Sequence, residues 1–95
     1  MSTLTSSELG RAVALLESGN WQAAHLIVQQ DEDSPLPCWA HGIVHIMEDD
    51  LPNARYWYRQ AQRTFPGVVS APAEIALLKS ALRRPRSAST GEGRR

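Results

Sequence analysis

Ninety-five residues with 42% apolar side chains suit one small domain with a thin core, of net stability no more than ~5 kcal/mol without a partner, and exclude a disordered chain. No apolar run approaches the ~18 residues that cross a bilayer, "MSTLTSSELG" lacks the basic start and apolar stretch of a secretory leader, and the single Cys38 closes no internal disulfide, so the expected compartment is a reducing cytoplasm with no membrane partner. The formal charge of zero is uneven: residues 1–82 carry five basic groups against nine acids, and residues 83–95 carry five Arg against Glu92, which is not a uniformly basic nucleic-acid surface.

Thr5 and Glu8 have the spacing of a capping box, and Leu9, Ala12, Val13 and Leu16 follow with helical periodicity. Gly19-Asn20 ends this helix and starts the next, whose face carries Trp21, Ala24, Ile27 and Val28. "DEDSPLP" breaks the chain and offers Ser34 as a cap. A third helix is expected over 37–48, apolar on more than one side and therefore central. Asp49-Asp50 turns the chain and places negative charge at the start of a fourth helix. Ala54, Trp57, Tyr58 and Ala61 recur along that helix, and "FPG" at 65–67 is expected to end it. A fifth helix over 71–82 carries Ile75, Leu78 and Leu82, with Ser70 as its cap. The class is all-α, with about five helices in one domain over 1–82. Residues 83–95 form a basic tail expected to be flexible, with Arg84 and Arg86 each three residues before a Ser, as basophilic kinase sites have. A weak nucleic-acid contact by this tail is set aside, because no aromatic residue interleaves its arginines.

The first two helices superpose on the next two at a 30-residue offset. Ala12 falls on Gly42, Leu16 on Ile46, Gly19 on Asp49, Trp21 on Leu51, Ala24 on Ala54 and Val28 on Tyr58. Small residues sit where helices approach, and large ones fill the remaining space. On Gly42, Ala54, Tyr58, Ala61 and Pro66, and on Ala12, Gly19, Trp21 and Ala24, the chain resembles the tetratricopeptide repeat. That resemblance implies two helical hairpins closed by a C-terminal capping helix, and a role in protein binding. A narrower resemblance, on Trp39, His41, His45, Glu48, Asp50, Asn53, Ala54, Tyr56, Trp57 and Tyr58, is to a group of small microbial proteins. Their core reads W-x-H-x-x-x-H-R-x-E-G-D-x-x-N-A-x-Y-W-Y. Here Ile46 stands at the Arg and Asp49 at the Gly, and the resemblance implies no particular activity.

Residues 38–60 concentrate the groups that do chemistry. Cys38, His41, His45 and Glu48 share a helix face, but ten residues at ~1.5 Å rise put the ends about 15 Å apart, too far for one ion. His41 and His45, one turn apart, can share an ion if Glu48 or another helix supplies a third ligand. The competing account has both histidines packed in the core, and no metal or other cofactor is expected. No nucleophile elbow or phosphate-cradling loop is present, which argues against an enzyme.

Arg55, Arg59 and Arg63 step along one helix face, either gripping an acidic partner or, as preferred here, simply solvated. Trp39 and Ile43 occupy positions that face the inner groove in the resembling family. The fifth helix is expected to cover that groove, which Ile46 also lines; the expected function is a non-catalytic module that binds a protein, a peptide or a second copy of itself, through Trp39 and Ile43 where that helix leaves part of the groove open. The alternative is a ligand- or metal-binding pocket, possibly enzymatic, around His41, His45 and Glu48, flanked by Tyr58 and Arg59.

Overall fold

The computed structural model describes residues 4–66 and 71–83. They form five helices: α1 (Ser6–Glu17), α2 (Trp21–Val28), α3 (Pro35–Met47), α4 (Leu51–Gln60) and α5 (Ala71–Arg83). Among the described residues there is no strand, and no helix is long and apolar enough to cross a membrane. Ser70, Gly67 and the tail from 84 onward lie outside the described residues.

The capping box forms as the spacing requires. Glu8 N donates to Thr5 Oγ1 at 3.0 Å, and Thr5 N donates back to Glu8 Oε1 at 2.9 Å.

The two hairpin corners, 30 residues apart, close with the same pair of backbone bonds. After α1, Gly19 N donates to Leu16 O and Asn20 N to Leu15 O; after α3, Asp49 N donates to Ile46 O and Asp50 N to His45 O. This pair of reversed bonds closes a helix when the residue past the cap turns left-handed. Gly19 does so at φ +86° and Asp49 at +68°. Asn20 and Asp50 then cap α2 and α4 through Ala23 N and Asn53 N.

Two boundaries differ from expectation. Helix α3 begins at Pro35, two residues early, because Ser34 is extended and proline is pre-set for a first turn. Ser34 makes no side-chain cap bond. Asp31 organises that turn instead: its Oδ1 accepts from Asp33 N and Ser34 N, and its Oδ2 from Leu4 N. Burial pushes the Asp31 carboxyl upward, but the Ser34 side chain and these backbone donors overcome it and hold it below its ordinary value. Helix α4 ends at Gln60 rather than at 65–67. Gln62 turns left-handed at φ +61°, and Arg63 N donates to Tyr58 O, the same closure as at the two hairpin corners.

Helix α3 packs against all four others, and its residues 37–45 are buried without interruption. It approaches α4 through Gly42, where an added Cβ would lie 2.5 Å from Tyr58 Cδ1. Helix α5 lies on α1 and α3. Ile75 and Leu78 join the core, and Lys79 donates to Glu17 on α1 at 2.9 Å. Glu74 secures the other side, accepting from Trp39 Nε1 at 3.0 Å and from Tyr58 OH at 2.8 Å. Trp39, 2% exposed, and Ile43, fully buried, therefore sit within the core.

Candidate metal-binding site

The flank of α3 turned toward α2 carries His41 and His45. Both are buried, at 3% and 7% exposure. As i,i+4 neighbours their rings stack with centroids 5.2 Å apart and planes 22° from parallel. Helix α2 adds His25, half-buried, whose ring stands edge-on to both at 75° and 68°. One nitrogen from each of the three rings lies within 4.8 Å of the others.

His25 Nε2 and His41 Nε2 are 3.1 Å apart. The two rings share a hydrogen bond at that distance; two ligand bonds of ~2.0 Å at a tetrahedral angle separate nitrogens by about 3.3 Å, so an ion that replaced the shared proton would need little movement of either ring.

His45 is oriented by its neighbour. Its Nδ1 lies 2.7 Å from Glu48 Oε1. With the proton on Nδ1, donated to the carboxylate, Nε2 keeps its lone pair for the cluster. Glu48 itself is exposed. Trp57 of α4 closes another side, stacked on His41 with centroids 3.9 Å apart.

Electrostatics favour the uncharged forms of His41 and His25. Burial, then the neighbouring His25 and His45, push the His41 imidazole down to about 3. Burial and His45 also lower His25, opposed by the carboxylates of Glu48 and Glu32. His41 Nδ1 is buried without a hydrogen-bond partner. Such an orphan costs about 1–3 kcal/mol.

The other residues singled out from sequence go elsewhere. Cys38 Sγ donates to Glu32 O at 3.4 Å, and burial raises its thiol to about 11. Tyr58 leaves the histidines for Glu74. Burial first, then that hydrogen bond, raise its hydroxyl above the ordinary range. Arg63 lies over the Trp39 ring at 3.4 Å and Arg55 over Phe65 at 5.3 Å, while Arg59 is exposed. A second acidic grouping, His45 with Glu48 and Asp50, is occupied by its own bonds: Glu48 takes His45, and Asp50 accepts from Asn53 N and Nδ2.

The residue missed from sequence is His25. It directly follows Ala24, one of the small residues marking close helix approach, which placed it at the edge of the α2 contact. No protein-family model matches the chain, and neither a curated protein nor a solved structure does.

Proposed function

We propose that this chain is a metal-binding helical protein that holds one divalent transition ion on His25, His41 and His45. The observation that carries this reading is the convergence of three imidazoles from two helices, with two Nε2 atoms 3.1 Å apart. Three neutral nitrogen donors suit zinc, cobalt, nickel or copper, and not the oxygen-seeking magnesium or calcium. Glu48 supplies the outer carboxylate that such histidines commonly have.

The repeated hairpin corners support a tetratricopeptide-like scaffold for the site. The reading as a protein-docking module needs an open floor at Trp39 and Ile43, which here are buried; the metal reading is preferred for that reason. The buried lone thiol of Cys38 supports a reducing, cytoplasmic setting.

The test is calorimetric titration of chelator-stripped protein with Zn2+ at neutral pH, with His25→Ala beside the wild type. His25 is half-buried, so its removal spares the core. Binding of one ion per chain, weakened at least tenfold in the variant, is expected. An unchanged isotherm in His25→Ala, or no uptake by wild type at millimolar Zn2+, would overturn the reading.

A further inference from the structure

Ions of this class are four-coordinate in most protein sites. Structural sites fill all four positions from the protein, and sites that act on small molecules leave one open. The cluster offers three ligands. Among the described residues no fourth His, Cys, Asp or Glu joins His25, His41 and His45. The nearest candidates are committed elsewhere, Cys38 to the Glu32 carbonyl and Glu48 to His45 Nδ1. Outside the described residues the sequence holds only Glu92 of these types.

The shape of the site says where the open position lies. His41 and His45 are buried from the α3 side, and the face of Trp57 covers His41 from α4. His25 is half-buried, the least covered of the three, and the carboxylates that act on it, Glu48 and Glu32, are both exposed. The cluster therefore opens to solvent beside His25.

Resting on the metal reading above, we infer that the bound ion keeps one exchangeable position on its His25 side, filled by water and replaceable by a small monoanion. The ion is then a Lewis acid in contact with solvent rather than a closed structural clamp. The acidic rim of Glu32 and Glu48 favours water as the resident ligand over an anion at low concentration.

Cobalt makes this visible, because its d–d absorption reports coordination directly. The full-length protein is loaded with Co2+, and the visible spectrum is followed during titration with sodium azide. A saturable change in band position and intensity, at constant one-to-one Co2+ stoichiometry, is expected. Glu32→Gln should saturate at several-fold lower azide, as a repelling carboxylate that touches no ligand is neutralised. A Co2+ complex whose spectrum ignores azide would show a closed site and overturn this inference while leaving the metal reading intact. Failure to bind Co2+ or Zn2+ at all would overturn both.

Discussion

Trp57 lies flat against His41, with ring centroids 3.9 Å apart and planes 8° from parallel. An indole this close to a ligand senses whatever the ligand binds. Open-shell ions quench indole fluorescence at such range. Addition of one equivalent of Cu2+ should quench the emission of the wild type, and Trp57→Phe should lose the larger part of the quenched intensity while keeping its affinity for the ion. Equal quenching in the two proteins would place the ion away from this ring.

Glu48 is exposed yet holds His45 Nδ1 at 2.7 Å. It acts through the histidine, so its loss should weaken the ion and leave the fold alone. Glu48→Ala is expected to lower Zn2+ affinity about 10- to 100-fold, with Glu48→Gln in between, since its amide oxygen still accepts the proton. Titration calorimetry gives the affinities, and thermal melts of the metal-free proteins should coincide within a degree or two.

Gly42 exists to admit the ring of Tyr58. A Cβ there would lie 2.5 and 2.7 Å from two ring carbons, and the ring cannot swing aside because Glu74 holds its hydroxyl. Gly42→Ala should therefore destabilise by about 1–3 kcal/mol, the usual cost of overpacking, in spite of the better helix propensity of alanine. Urea denaturation measures it. A gain in stability would mean that α3 and α4 are not packed this closely.

Asp49 and Gly19 sit at equivalent corners with φ of +68° and +86°. Side chains beyond glycine pay for that conformation, and aspartate only partly avoids the cost. Asp49→Gly is expected to stabilise by about 0.5–1 kcal/mol, less than the full steric relief because glycine also loosens the unfolded chain. Gly19→Ala should destabilise by about 1 kcal/mol. Opposite shifts in melting temperature are the readout.

Cys38 gives the pH dependence its sign. Burial, then the acids Asp31, Asp33 and Glu32, raise the thiol from 9.0 to about 11. A group raised in the folded state contributes stability that is complete below its unfolded value and lost as pH rises through the folded one. Stability should thus fall between pH 9 and 11. The raised Tyr58 hydroxyl acts in the same direction, so the informative comparison is with Cys38→Ala, which should lose less over that window. In native protein at pH 8, iodoacetamide should leave Cys38 unmodified and should alkylate it once urea unfolds the chain.

Much of the architecture was legible because its causes are local. A hydroxyl three residues before Glu8, a glycine at 19, a proline at 52 and apolar residues one turn apart settle helices without reference to the rest of the chain. The 30-residue equivalence was legible for the same reason, and it holds down to the hydrogen bonds at 19–20 and 49–50. The end of α4 was misplaced because a left-handed Gln62 carries no sequence signal comparable to glycine.

The sequence by itself determined an all-α class with about five helices and a central third one, and it put His41 and His45 one turn apart. It also excluded Cys38 and Glu48 as joint ligands, since helical rise alone separates them. Tertiary structure decided the remainder. How α2 is rolled about its axis brings His25, sixteen residues upstream, against His41, and no spacing rule links residues on different helices. The same packing sends adjacent Trp57 and Tyr58 to different partners, one to His41 and the other to Glu74, because neighbours on a helix point about 100° apart. Docking of α5, whose Glu74 accepts from Trp39 Nε1, buries that ring as the covered-groove reading expected, and leaves the histidine cluster as the candidate site.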